Sequence, residues 1–370
     1  MTREHKKPLL AVVDGSNYLY RAYWAIPPLT NSKGLPTNAI YGFTSMLMKL
    51  LRELAPDYVV VAFDLKGPTT RHEEFADYKA TRKPMPDDLA VQIPFIKDVI
   101  RGFSISILEK QGTEADDLIG TLTVEAGRRN WRTAIISGDK DLLQLVGDDV
   151  TMVDTMKDKT YDVAAVREKF GVGPDKVVEI LGLMGDALDN IPGVPGVGPK
   201  TAQRLIEEYG TVDEVIAHAE SLRNVKLRES FRKYAGQALL SRKLALIRTD
   251  IDLQFELDDA RRSEPDTRRL AGLFGEFEFS SLMRQFVDGS DKPAVACEVV
   301  DDEKAVLALA AKLAGEKKIS FEIIHEKNLP EQIIGLAVGT ADKAFYIPLA
   351  HDAVEAQPAV KEVWGSLRPL

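Results

Sequence analysis

Short apolar runs at residues 9–13, 58–63, 105–108, 133–136 and 150–153 punctuate the first 155 residues of the chain. They are β-branched and mostly continuous rather than alternating, the pattern of strands buried on both faces of a parallel sheet. Amphipathic stretches of helical period separate them, residues 38–53 and 115–128 being the clearest. The pattern predicts an α/β fold with a mostly parallel central sheet flanked by helices, and in such sheets ligands bind outside the carboxyl ends of the strands. From about residue 161 strand signals fade and short helices joined by glycine and proline take over, as in Gly-Val-Gly-Pro at 171–174. This stretch is expected to extend the α/β core, so that about 1–160 and about 161–287 form one domain, 1–287. The polar segment DGSDKP, starting at 288, predicts a linker over 288–294. A second, smaller and partial α/β pattern follows over 295–370.

Composition narrows the chemistry. At 370 residues the chain exceeds what a single core usually holds. No apolar run approaches the roughly 20 residues needed to cross a bilayer, and the start MTREHKKPLL is too charged for a signal peptide. A soluble, cytoplasmic, nucleoid-associated monomer is expected. The single cysteine, Cys297, excludes an intramolecular disulfide, and five scattered histidines supply no zinc set. Any essential metal must therefore be held by oxygen. The net charge of −9 argues against a polyanionic partner only on average, because residues 200–248 hold ten Lys or Arg against six Asp or Glu.

Acidic residues recur where parallel strands would end. LLAVVDGSN carries Asp14, YVVVAFD carries Asp64, and TAIISGDKD carries Asp139 and Asp141. Glu114, Asp116 and Asp117 open the helix predicted from GTEADDLIG, and Asp186 and Asp189 lie three apart in GLMGDALDNIPG. That spacing faces both carboxylates the same way if the turn is helical. Taken singly, each acid is as well explained as a helix cap or surface turn. Together they are not, since two carboxylates 4 Å apart repel by roughly 4 kcal/mol at an effective dielectric near 20, while a domain is stable by only about 5–15 kcal/mol. Such a cluster needs cations, and hard oxygen ligands select Mg²⁺ or Mn²⁺; a pair of these ions can activate water and stabilise the leaving oxygen of a phosphodiester.

Two further segments suit a nucleic acid. IPGVPGVGPKTAQRLIEEYG, residues 191–210, places a Gly- and Pro-rich hairpin containing Gly193, Gly196 and Gly198 before an amphipathic helix that starts near Lys200, Thr201 and Arg204. Backbone N–H groups at such a helix start grip phosphate without reading bases. KGPTTRHEEFADYKATRK, residues 66–83, interleaves Tyr78 with Lys66, Arg71, Lys79, Arg82 and Lys83, as single-strand stacking surfaces do. Three acids in the same stretch, Glu73, Glu74 and Asp77, equally allow a solvated loop.

VDGSNYLYRAYWA, VVVAFD, FADYKATRKPMPDDL, EADDLIGTL, ISGDKDLLQLV and GLMGDALDNIPGVPGVGPKTA stand in one order over residues 9–285. In this the chain resembles the 5′-nuclease or flap-endonuclease family, in the form found at the N-terminus of bacterial DNA polymerase I. The resemblance implies a two-metal site using Asp14, Asp64, Glu114, Asp116, Asp117, Asp139, Asp141, Asp186 and Asp189, directly or through water. It implies a helical, mobile arch whose Arg71, Tyr78, Lys79 and Arg82 engage the scissile phosphate and the 5′ strand. It also implies a helix-hairpin-helix that grips the duplex and holds a monovalent cation, K⁺. The reaction implied is hydrolysis of 5′ flaps, nicks and RNA primers to a 5′-phosphate and a 3′-hydroxyl. KKISFEIIHEKN, IIGLAVG and AFYIPLAHD resemble the start of the 3′–5′ exonuclease-like domain of those polymerases, but Glu322 and Ile324 replace its Asp-x-Glu pair, so no proofreading is expected. The chain ends before any polymerase motif and is expected to be part of a longer polymerase. Two other readings stay open on the residues alone: a DNA clamp that no longer cuts, and an RNA-directed nuclease of the PIN class that has no need of the hairpin.

Overall fold

A computed structural model of the chain describes residues 7–287, 297–316, 318–326, 329–340, 343–350 and 357–367. The described residues fall into two compact units, Met1–Phe286 and Val287–Leu370. The linker expected at 288–294 lies outside the described residues.

In the first unit, six strands form one sheet: β1 (Leu9–Asp14), β2 (Tyr58–Ala62), β3 (Ser106–Leu108), β4 (Arg132–Ile136), β5 (Val150–Asp154) and β6 (Lys159–Tyr161). Their order is β3-β2-β1-β4-β5-β6, all neighbours parallel except the last pair. The antiparallel β6 has no counterpart in the apolar pattern, because KTY is too short and polar to announce itself. On β1, Leu10 and Val12 enter one core while Ala11 and Val13 enter another on the opposite face. Burial on both faces is why the strand reads as a continuous apolar run.

The helices in chain order are α1 (Gly15–Ala25), α2 (Asn38–Leu54), α3 (Thr70–Glu74), α4 (Asp87–Ala90), α5 (Ile93–Gly102) and α6 (Ala115–Arg128). The arch expected to be helical is thus one five-residue helix, α3, followed by turns up to residue 82. Beyond the sheet come α7 (Val163–Phe170), α8 (Val177–Met184), α9 (Pro199–Tyr209), α10 (Val212–Ala217), α11 (Val225–Ala245), α12 (Thr267–Glu276) and α13 (Ser280–Val287). The helices α8–α11 close over a core of their own that includes Ile180, Val194, Val197, Leu205, Val212 and Phe231. Short apolar stretches broken by glycine suffice here because each helix buries only one stripe.

The second unit carries β7 (Cys297–Val299), α14 (Glu303–Leu313), β8 (Ser320–Glu326), β9 (Leu329–Gly339), β10 (Ala344–Pro348) and α15 (Val360–Leu367), with strand order β7-β10-β9-β8. Glu322 and Ile324 lie on β8, level with Ala337 and Gly335 of β9. Among the described residues no helix is long and apolar enough to cross a membrane.

Candidate functional site

The register of the sheet brings the predicted acids to one edge. Asp14 is level with Ala62 at the end of β2, and Val13 is level with Ile136 at the end of β4. Asp64 and Ser137 therefore emerge beside Asp14. Asp14 is only 4% exposed. One of its oxygens caps α1 by accepting from the Asn17 N–H at 2.9 Å, and the other accepts from the Ser137 hydroxyl at 2.7 Å. Asp64 accepts from the Ala115 N–H at 2.8 Å, which ties the start of α6, and with it Glu114, Asp116 and Asp117, to the end of β2. Asp139 and Asp141 follow β4 in a tight turn: the Asp139 N–H donates to Ser137 Oγ and the Asp141 N–H to Asp139 Oδ1, both at 3.0 Å.

The cluster is electrostatically loaded. Burial, and then Asp64 and Asp139, push the Asp14 carboxyl up to about 7. Burial and the neighbouring carboxylates raise Asp139, and raise Asp116 and Asp141 well above the usual range. Asp141 Oδ1 is buried without a hydrogen-bond partner. A group in this state favours either a proton or a cation.

Side chains from elsewhere supply some of that positive charge. Lys79 Nζ lies 3.0 Å from Glu114 and 3.7 Å from Asp189, Arg82 lies 2.5 Å from Asp189, and Lys140 lies 3.0 Å from Asp186. Burial opposes ionisation of Glu114, yet Lys79 and Arg71 hold its carboxyl below the ordinary value. The Tyr78 hydroxyl donates to Glu114 and Asp189 at 3.1 and 3.3 Å, and burial followed by those two acids raises its pKa. With so many acids bound to cations of the chain, no three of the described acids meet as a ready metal cage. An all-oxygen donor set, an orphaned carboxylate oxygen and raised carboxyls nevertheless suit a hard divalent ion.

Three expected placements change. Asp186 and Asp189 do not share a helical face: α8 ends at Met184, Gly185 takes φ +74°, and residues 186–191 form a loop closed by paired Asp186–Ile191 backbone bonds of 2.7 and 2.8 Å. Their carboxylates consequently meet different cations. Arg71 does not point outward from an arch; it is 7% exposed and bonded to Glu114, Asp117 and the carbonyls of Leu244 and Leu246. Gly193 is buried, its N–H donating to Ser241 Oγ and its carbonyl accepting from Gln237, so it shapes the hairpin from within. Gly196, Gly198, Lys200 and Arg204 are exposed and Thr201 half-exposed, with Gly198 capping α9.

Sequence reasoning passed over Ser137, Asn17 and Lys140. Ser137 and Lys140 stand inside the ISGDKD segment already singled out, but their partners, Asp14 and Asp186, lie 123 and 46 residues away and only the fold joins them.

Residues 9–171 match the 5′-3′ exonuclease N-terminal resolvase-like domain, and residues 172–268 match the 5′-3′ exonuclease C-terminal SAM fold. The chain is 41% identical over 276 residues to a 5′-3′ exonuclease of Aquifex aeolicus, covering 75% of this chain and 94% of that one. It is 39% identical over 345 residues to DNA polymerase I of Bacillus caldotenax, covering 92% of this chain but only 39% of the relative's length. A solved T5 5′-exonuclease bound to divalent zinc shares the fold, with a TM-score of 0.56 at 21% identity over 76% of this chain and 98% of that chain. A T5 flap endonuclease solved with DNA and metal ions superposes at a TM-score of 0.54 and 22% identity, over 76% of this chain and 98% of that chain. With both family domains present in order over most of its first unit, the chain belongs to the 5′-3′ exonuclease family and is homologous to the N-terminal region of DNA polymerase I.

Proposed function

We propose that the chain is a structure-specific 5′ nuclease that hydrolyses phosphodiesters of DNA and of RNA primers at 5′ flaps and nicks, as part of a DNA polymerase I acting in replication and repair. The observation that carries this reading is the raising of Asp14, Asp116, Asp139 and Asp141, by burial and by neighbouring carboxylates, at the sheet edge where Lys79 and Arg82 pair with Glu114 and Asp189.

Asp14, Asp64, Glu114, Asp116, Asp139, Asp141, Asp186 and Asp189 would hold two Mg²⁺ or Mn²⁺ ions, directly or through water; Asp117, bound to Arg71, supports Glu114 from behind. Such ions supply Lewis acidity to the attacking and leaving oxygens. Lys79 and Arg82 change partners in this reading, leaving Glu114 and Asp189 for the scissile phosphate, where their charge stabilises the developing negative charge. Tyr78, only 3% exposed and packed in the core, steadies Glu114 and Asp189 through its hydroxyl rather than presenting its ring to a base of the 5′ strand. Gly196, Gly198, Lys200, Thr201 and Arg204 would hold the duplex backbone at the start of α9, where a K⁺ ion at the hairpin would add positive charge. The second unit contributes no proofreading, since Glu322 and Ile324 lack the paired acids that reaction needs. Hydrolysis leaves a 5′-phosphate and a 3′-hydroxyl.

The test is cleavage of a 5′-labelled flap duplex with Mg²⁺, with EDTA, and by the Asp116→Ala/Asp186→Ala variant. Metal-dependent release of a short 5′ product, lost in the variant, supports the nuclease. Tight flap binding with no cutting by the unaltered chain replaces it with a clamp.

A further inference from the structure

Four cations gather where the last parallel strand leaves the metal edge. β5 runs parallel to β4, so the turn after Asp154 opens at the same carboxyl edge as Asp139 and Asp141. Asp154 is level with Lys159 across the β5–β6 pair. Asp154 is buried and already neutralised by Arg21 at 2.5 Å, with Lys157 at 3.3 Å as a second cation. Lys159 and Lys169 then approach one ring: their ammonium groups lie 4.9 and 5.2 Å from the centroid of Tyr161. Neither has a carboxylate partner among the described residues. Over residues 154–170 the acids are Asp154, Asp158, Asp162 and Glu168, which Lys157, Lys159, Arg167 and Lys169 together with Arg21 outnumber by one.

Folding alone gives no reason to bring these charges together. Burial first, and then Lys157, Lys159 and Lys140, make the Lys169 ammonium easier to deprotonate than an ordinary lysine. Its aliphatic stem and the Tyr161 ring hold it in place despite that repulsion. The row also has direction. At one end stands Lys140, between the candidate metal ligands Asp139 and Asp141; at the other, Gly171, the C-cap of α7 with φ +75°, abuts the side chain of Gln203 on α9 so closely that a Cβ would fall 1.9 Å from Gln203 Nε2. The cations therefore bridge the metal edge and the helix that follows the hairpin.

We propose that Lys157, Lys159 and Lys169 form a second phosphate-binding surface, which carries the backbone of duplex DNA between the hairpin and the metal edge. This rests on the nuclease reading and deepens it, because it assigns the duplex a track on the β5–β6 turn and α7 as well as on the hairpin. A duplex backbone suits the row because it presents evenly spaced anions that long, flexible ammonium side chains neutralise without base contacts.

The experiment measures equilibrium binding of a 5′-flap duplex by the full chain, in EDTA, between roughly 50 and 200 mM salt. The Lys157→Gln/Lys159→Gln/Lys169→Gln variant is set against a charge-matched control, Lys49→Gln/Arg52→Gln/Arg128→Gln, placed at the ends of α2 and α6 on the opposite edge of the sheet. The track variant is expected to bind about ten-fold or more weakly, with a log K against log salt slope shallower by about 2–3, close to 0.9 per lost phosphate contact. The control should match the unaltered chain. Equal slopes and affinities in the two variants, with thermal melts showing both folded, overturn the track. Cleavage by the unaltered chain, run alongside, separates that result from failure of the nuclease reading itself.

Discussion

The Arg71 guanidinium binds both carboxylate oxygens of Asp117 at 2.8 Å and donates its other N–H groups to Glu114 and to the carbonyls of Leu244 and Leu246. Asp117 in turn also accepts from the Arg248 N–H at 2.9 Å. The pair fastens α3 and α6 to the end of α11 and holds Glu114 at the acidic edge of the sheet.

Removing one partner of a buried, fully bonded ion pair leaves the other charged and unpaired, and costs roughly 3–5 kcal/mol. Arg71→Ala should therefore lower the urea midpoint sharply, with Arg71→Lys intermediate because lysine lacks the planar fork. An unchanged midpoint in Arg71→Ala would return Arg71 to the group of phosphate-contacting residues.

Lys79 is poised differently. Its backbone N–H donates to the Asp189 carbonyl at 2.9 Å, its φ is +56°, and its ammonium lies between Glu114 and Asp189. The turn is thus docked on the loop that carries two candidate ligands, where the proposed nuclease reading puts the reacting phosphate. Lys79→Ala should slow single-turnover cleavage by about 10²-fold or more, while duplex affinity changes little. Matching losses in rate and affinity would show that Lys79 only binds.

The raised carboxyls set a pH dependence. Burial, with like-charged neighbours, pushes Asp14 up to about 7 and raises Asp116, Asp139 and Asp141 as well. A carboxyl whose pKa is higher in the folded state binds its proton more tightly there. Its stabilising contribution is complete below the unfolded value near 4 and is lost as pH rises through about 7. Without divalent ions the melting temperature should fall across that window. Mg²⁺ takes the place of the protons, so it should raise the melting temperature more at about pH 8 than at about pH 6, with protons released on binding. A Mg²⁺ shift equal at both pH values would contradict the site.

The hairpin glycines divide by geometry. Gly193 has φ +61°, and a Cβ there would lie 2.4 Å from Gly185 N, so Gly193→Ala must displace the loop and weaken both stability and duplex binding. Gly196 also has positive φ, +87°, but open space around it, which limits the cost of alanine to about 1–2 kcal/mol of backbone strain. Gly198 has φ −96° and no crowding neighbour, so Gly198→Ala costs only the roughly 0.5–1 kcal/mol by which alanine is the poorer helix N-cap and should lower the melting temperature far less than Gly193→Ala. Equal melting shifts for Gly193→Ala and Gly198→Ala would mean that the loop is not held as described.

Much of this protein could be read from local pattern. A continuous apolar run such as LLAVVD announces a strand covered on both faces, and the acid that ends it announces the edge where a ligand binds; β1 and Asp14 stand where that reasoning puts them. The helix Ala115–Arg128 and the Gly-Pro hairpin before α9 were legible for the same reason, since periodicity and turn chemistry report on burial and backbone shape within a few residues. The tertiary structure alone decided the partners: that Arg71 faces Asp117 and not a phosphate, that Asp186 meets Lys140 while Asp189 meets Arg82, and that Lys159 and Lys169 converge on Tyr161. Spacing along the chain carries the direction in which a side chain points, but which side chain it meets depends on strand order and on helices packed from residues tens to more than a hundred positions away.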